Sequence, residues 1–266
     1  MAEQILRIKP ADVVKLIKQG DMAVVDKQPI LEPTRAANGQ LEKAKALFGE
    51  NFLGEEAIHA MEAKCQAAGI SVSFEIPQIG NFDSTGLSLA LSDEALEASK
   101  ADETKGKARF LALRPSFMIV EGEKKPVTIT TLRDLFGDKN PFGNGRIFYN
   151  QTWYNNEDFA QEQLKPGIGL PTRNVIRKTL GKTWNDQEQV LEKDEWRREA
   201  TEAVWDTILY YAVNGKRLLE KTYDWTRRRT SDGYLVCVGV FDSDGLRVGN
   251  WYPGYSYSDI GVCPSR

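Results

Sequence analysis

Apolar positions along this chain alternate between helix-like and strand-like spacing, and glycines mark most of the changes. Val13, Val14, Leu16 and Ile17 form a stripe after Pro10 and before Gly20, which predicts a helix. Met22 to Val25 reads as a short strand, and Gln28 to Gln40, with Pro29, Pro33 and Gly39, as a loop. Leu41 to Phe48 and Glu55 to Ala68 read as two helices separated by Gly49 and Gly54, the second stopped by Gly69. Pro77 to Ser92 is turn-rich, and Ser92 caps a short helix through Ser99. The charged run Lys100 to Lys107 reads as a linker or an exposed loop, with a soft domain boundary there.

Beyond it, Phe110 to Leu113 and Phe117 to Val120 are strand-like runs broken by Pro115. A helix is expected from Thr130 or Thr131, carrying Leu132, Leu135 and Phe136 to Gly137, then a loop from Asp138 to Gly145 and a short strand at Ile147 to Tyr149. Thr172 is expected to cap a helix that buries Val175 and Ile176 and stops at Gly181. A long helix is expected over Gln187 to Val213. Its buried face would hold Trp196, Ala200, Ala203, Val204, Thr207, Ile208 and Tyr211, and Asn214-Gly215 would end it. Leu235 to Phe241 is a buried-strand run, and Leu246-Arg247-Val248-Gly249 alternates inward and outward.

Composition narrows the function classes. The 266 residues are 41% hydrophobic, enough for a real core, with a net charge of −3 that points to neither nucleic acid nor an anionic membrane. Arg227-Arg228-Arg229 therefore reads as a solvated turn. No stretch has the ~20 apolar residues of a membrane span, and residues 1–20 show no signal-peptide core. The cysteines Cys65, Cys237 and Cys263 are odd in number and far apart, which fits a reducing compartment rather than a disulfide framework. His59 is the one histidine, too few for a histidine-based metal site. Asp242-Ser243-Asp244-Gly245 lacks the acidic residue that completes a calcium loop and reads as a β-turn. A nucleophile elbow, a P-loop and a dinucleotide fingerprint are all missing.

The last segment differs from the rest. After the strand at Leu235, Tyr, Trp, Ser, Gly, Asn and Asp dominate, the mixture of rigid amphipathic rings and adaptable polar groups found in antibody paratopes. The order of these residues is similar to that of one family. Trp225-Thr226, Val238-Gly239, Phe241-Asp242, Gly245-Leu246, Val248, Trp251 and Gly261-Val262 with terminal Ser265-Arg266 resemble the variable proteins of diversity-generating retroelements. The resemblance covers about the C-terminal 120 residues, and Cys263-Pro264 departs from it.

That resemblance implies an α+β fold with a C-type lectin-like C-terminal domain of the formylglycine-generating-enzyme subtype. It would span 107–266, with a variable region at about 234–264, after a mostly helical region at 1–106 of unknown role. It also implies that mutagenic reverse transcription rewrites positions reachable from an asparagine codon. Those are Arg247, Gly249, Asn250, Tyr252, Gly254, Tyr255, Tyr257, Ser258 and Asp259, with Tyr234 and Val240 as weaker members. Trp251, Tyr252, Tyr255 and Tyr257 would anchor a ligand, with Arg247, Asn250, Ser258 and Asp259 as polar readers, over a floor of Leu246, Val248, Ile260 and Val262. The ligand would be a protein or cell-surface molecule. No cofactor, metal, nucleic acid or membrane insertion is expected, and the protein would be cytoplasmic or virion-associated. Two other readings stand beside it: an oxidase of the formylglycine-generating type using Cys237 and Cys263, and a structural or virion protein whose aromatic tail packs on a partner subunit.

Overall fold

The computed structural model describes residues 35–77 and 92–266. The helix from Pro10 and the strand at Met22 to Val25 fall outside them, as do residues 78–91 of the turn-rich stretch. Helix α1 spans Arg35–Phe48, so it starts inside the stretch read as a loop. Arg35, Ala36 and Ala37 are strong helix formers, and together they carry the helix past Gly39. Strand β1 (Phe52–Leu53), helix α2 (Glu55–Ala67) and strand β2 (Val72–Phe74) follow, with Gly69 at φ 74 where α2 ends. Helix α3, Asp93–Thr104, begins as expected at Ser92, whose Oγ accepts from the Ala95 amide at 3.1 Å.

Helix α3 overturns the linker reading of Lys100 to Lys107. The helix continues to Thr104 because Asp102 is buried and accepts from Arg109 Nε at 2.6 Å. Strands β3 (Leu111–Arg114), β4 (Phe117–Val120) and β5 (Glu123–Pro126) come next, then helix α4 (Ile129–Phe136). The cap of α4 is Thr128 rather than Thr130 or Thr131, since its Oγ1 accepts from the Thr131 amide at 3.0 Å. The remaining elements are α5 (Asp158–Gln161), β6 (Gly167–Gly169), α6 (Trp184–Glu188) and α7 (Ala200–Asn214). Strands β7 (Tyr223–Arg229), β8 (Leu235–Asp242), β9 (Gly245–Trp251) and β10 (Ile260–Gly261) end the chain.

The fold is mixed α+β, with sheets ordered β1-β3-β6, β2-β4-β5 and β10-β7-β8-β9. One core crosses residue 107: Leu53, Ile58 and Met61 share it with Trp205, Ile208, Val238 and Leu246. A second small cluster joins Ala44, Phe48 and Leu96 to Leu111 and Leu170. The described residues accordingly belong to one compact unit. Among the described residues, no helix is long and apolar enough to cross a membrane.

Three further expectations fail for tertiary reasons. Leu170 to Gly181 forms no α-helix, only a bridge at Thr172 and a 3-10 turn at Arg177–Thr179. Its amides serve distant partners instead: Thr172 donates to Pro264 O, Arg173 to Ala108 O and Ile176 to Val262 O. The long helix is divided into α6 and α7, and Trp196 is 45% exposed because its backbone exchanges both hydrogen bonds with Ser265. Ile147 to Tyr149 narrows to a single bridge between Phe148 and Leu246.

Buried charge ties these pieces together. Arg198 donates to Asp224 Oδ2 at 2.7 Å and to Asp206 Oδ2 at 3.0 Å, and Asp206 also accepts two bonds from Arg114. Burial works against charge on Arg114, but Asp206 and Glu202 outweigh it and hold the guanidinium protonated. Arg266 reaches Asp102, Asp194 and Glu192. The arginine run is strand, not turn: Arg227 and Arg228 both pair with Glu199, and Arg228 also pairs with Glu162.

On α2, His59 lies 2.9 Å from Glu62, a contact that raises the imidazole pKa above 6.5 against a small opposing effect of burial. A folded-state pKa above the unfolded one stabilises the fold at low pH, and the benefit is lost as pH rises through the folded value. His59→Gln is therefore expected to cost stability at pH 5.5 and little at pH 8, as read by urea denaturation. A gap independent of pH would contradict this.

Candidate ligand-binding surface

The four-stranded sheet presents two different faces. Asp224, Thr226, Val236, Val238, Leu246 and Val248 are buried on the side of α7, where Val204, Ile208 and Tyr211 complete the core. On the other side Trp225, Leu235, Cys237 and Ile260 form a thin cluster, covered by Trp184, Tyr223 and Tyr257. The connection from β9 to β10 passes over this cluster. Its backbone is pinned where Gly181 donates to Tyr257 O, Trp184 to Pro253 O and Tyr223 to Asp259 O.

On this framework the aromatic residues touch one another in series. Tyr234 meets Tyr252 at 6.1 Å between ring centroids, Tyr252 meets Tyr255 at 5.1 Å, Tyr255 meets Tyr257 at 6.4 Å, and Tyr257 meets Trp251 at 4.8 Å. The three tyrosine pairs are edge-to-face and Trp251–Tyr257 is tilted, and edge-to-face pairs at such spacings are favourable beyond the area they bury. The rings thus hold one another in place while Tyr255 stays 63% exposed and Tyr252 half exposed. Burial and the neighbouring Tyr255 and Tyr234 hydroxyls push the Tyr257 phenol above its usual range.

Eleven positions were singled out from the sequence, and none is buried. Tyr234, Tyr252, Gly254, Tyr255, Ser258 and Asp259 are exposed, and Val240, Arg247, Gly249, Asn250 and Tyr257 are intermediate. The interleaved Trp225, Gly239, Phe241, Gly245, Leu246, Val248, Gly261, Val262, Ser265 and Arg266 are all buried, and Trp251 alone among them is exposed. The period of two separates two of the eleven: Arg247 and Gly249 lie on the outward face of β9, whereas Asn250 alternates onto the side of Leu246 and Val248. Val240 stands at a bulge near the far end of β8 with φ 43, a strained value for a β-branched residue. Register places Leu235 opposite Trp251 and Gly239 opposite Arg247. The aromatic patch and Arg247 are therefore separated by roughly 13 Å along the sheet.

The glycines divide in the same way. A side chain at Gly239 would collide with the Thr222 and Tyr223 backbone, and one at Gly245, held at φ 113, with the Phe148 and Tyr149 backbone. At Gly254 a Cβ would meet only the Tyr252 ring, and at Gly249 only Cys237 Sγ at 3.3 Å and Trp251 Nε1 at 3.8 Å. Side chains can move aside where backbone cannot, and neither Gly249 nor Gly254 has a positive φ.

Some residues of this face escaped the sequence reading. Tyr149 and Trp153 are large and exposed, and Gln151 Nε2 and Trp153 Nε1 both donate to Val248 O, at 2.6 and 3.0 Å. These side chains cap the open edge of β9, where a free carbonyl invites pairing with another strand. Arg247 is less free than a polar reader would be: it donates to Asp242 Oδ2 at 2.9 Å and lies 4.6 Å from the Tyr149 ring centre. Burial alone would raise the Asp242 carboxyl, but the hydrogen bonds from Arg247 and the Asp244 amide hold it below the usual range.

The thiols are not part of the exposed surface, although Cys237 lies directly beneath it. Cys65, Cys237 and Cys263 are free and fully buried. Burial, reinforced by Glu62, pushes Cys65 up to about 12, and burial raises Cys237 and Cys263 further. Since the thiolate is the nucleophile, a disulfide reagent at neutral pH is expected to modify none of the three in the folded protein and all three in denaturant. Rapid modification of Cys237 or Cys263 under native conditions would contradict the packing. No group of three or more His, Cys, Asp or Glu placed to hold a metal ion occurs among the described residues. No family model, curated protein or solved structure matches the chain.

Proposed function

We propose that this chain is a binding protein of the variable-protein type, with a C-type lectin-like scaffold displaying a ligand-contacting surface built from its C-terminal residues. The observation that carries this reading is the segregation along 234–266. Every position expected to vary is at least partly exposed, and every position expected to be fixed, save Trp251, is buried. A surface that must accept many residues needs side chains that support nothing beneath them, and a scaffold that holds its shape without them. The pinned backbone and the buried floor of Leu246, Val248, Ile260 and Val262 are consistent with the second need, and the exposure of Tyr252, Gly254, Tyr255, Ser258 and Asp259 with the first, whereas Tyr257 also covers the Trp225 cluster. Trp251, Tyr252, Tyr255 and Tyr257 serve as aromatic anchors, and Ser258, Asp259, Gly249, Gly254 and Tyr234 complete the contact area, while Asn250 faces the other side of β9 and lies outside it. Exposed aromatic groups on a rigid frame suit a protein or other cell-surface ligand. The role is non-catalytic.

The test is a pool of chains randomised at Arg247, Gly249, Asn250, Tyr252, Gly254, Tyr255, Tyr257, Ser258 and Asp259 together. Most members should remain folded, as read by protease resistance of a displayed library. A pool randomised at Leu246, Val248, Ile260 and Val262 should be almost entirely degraded. Equal loss from both pools would reject the proposal.

A further inference from the structure

Arg247 shows what its own surroundings bind. Its guanidinium carbon lies 4.6 Å from the centre of the Tyr149 ring. Its Nη1 donates to Asp242 Oδ2 at 2.9 Å and to Val240 O at 3.3 Å, and its Nη2 lies 3.6 Å from Asp244 Oδ2. One aromatic face, two carboxylates and a carbonyl converge on one planar cation, which matches guanidinium in shape and charge.

Much of the frame of this recess is held by contacts that do not involve Arg247. Tyr149 is held by its amide, which donates to Leu246 O at 3.0 Å. Asp242 is oriented by the Asp244 amide at 2.9 Å, and the Arg146 amide donates to Ser243 O at 2.9 Å. The recess adjoins an open depression of about 570 Å³, lined by Gly145, Arg146, Tyr149, Asn150, Ser243 and Asp244. Arg146 at its rim is paired with Asp138 at 3.0 Å, so the positive charge there is already balanced.

We propose that Tyr149, Asp242 and Asp244 form a guanidinium receptor, filled in this chain by its own Arg247 and open to an arginine side chain of a protein ligand wherever residue 247 is small. The inference rests on the binding reading only in taking 247 as a position that varies. In such a sibling the pocket accepts a ligand arginine from the depression. In this chain Arg247 closes it, so the identity of one residue decides whether the pocket takes part in recognition.

The test uses Arg247→Ser in the full chain, with ethylguanidinium as probe and ethylammonium as a control of equal charge, followed by NMR. The expected result is a saturable shift of the Tyr149 ring and of the Val240 to Asp244 amides with ethylguanidinium. Ethylammonium should bind about tenfold more weakly, since it cannot make the planar, forked contact. Unsubstituted protein and the double variant Arg247→Ser, Asp242→Asn should show no saturable shift. Absence of binding to Arg247→Ser, or equal binding of the two cations, overturns the proposal. Should Arg247→Ser not fold, Arg247→Thr takes its place, threonine being better suited to a strand. If neither folds, the pocket cannot be vacated and the proposal fails. None of these outcomes bears on the randomised pools, so the two ideas fail separately.

Discussion

Asp224→Ala is expected to destabilise the protein by roughly 3–5 kcal/mol, the range found when one partner of a buried ion pair is removed. Asp224 is fully buried on β7. Its Oδ2 accepts both Arg198 Nε and Nη2, at 3.1 and 2.7 Å, and its Oδ1 accepts the Cys263 amide at 2.7 Å. Alanine there would leave a buried guanidinium with Asp206 as its remaining partner, already shared with Arg114, and a buried amide with none. The effect should reach the surface as well, because the Cys263 amide fixes the chain just after β10. Urea denaturation measures the loss, and hydrogen exchange at residues 252–263 should rise in the variant. A loss under 1 kcal/mol would mean that the network is not holding the sheet to α7.

Leu246→Ala is expected to cost roughly 2–5 kcal/mol, as for other buried leucines whose cavity cannot collapse. Tyr255→Ala should stay within about 0.5 kcal/mol of the parent, as exposed substitutions usually do. Leu246 is fully buried in the main core with Val248 and Phe241, whereas Tyr255 is 63% exposed and its ring pairs with those of Tyr252 and Tyr257. The pair is informative as a difference. Comparable losses would mean that the aromatic loop is part of the core, and the division into floor and display surface would be wrong.

The parts of this structure that could be read from the chain are those governed by local rules. The period of two through Leu246 to Gly249 and the glycines at 69, 137 and 215 mark real strands and real helix ends. Most exposed and buried positions after Tyr234 are separated by the resemblance, and only Leu246 to Gly249 shows the in-and-out alternation of a strand. What could not be read depends on partners far away in sequence. Lys100 to Lys107 looks like a solvated run until Arg109 and Arg266 converge on Asp102, the second from 164 residues away. Leu170 to Gly181 has a helix-like start, but its amides are taken by Ala108, Val262 and Pro264. Trp196 fits the helical stripe, yet the strand-like pairing with Ser265 lifts it out. The Tyr149 side of the candidate surface had no local signal, since it reaches Arg247 only through the bridge between Phe148 and Leu246.

The most direct measurement is to sequence the gene and its flanking few kilobases in many copies from its native population. The account predicts a near-copy of the last ~100 nucleotides beside a reverse transcriptase gene, differing from the coding copy only where it carries adenine. The variation should fall at the codons of Arg247, Gly249, Tyr252, Tyr255, Tyr257 and Asp259, and spare those of Leu246, Val248 and Ile260. An invariant tail with no such copy would contradict the account, leaving the exposed aromatic series to be explained as a fixed interface.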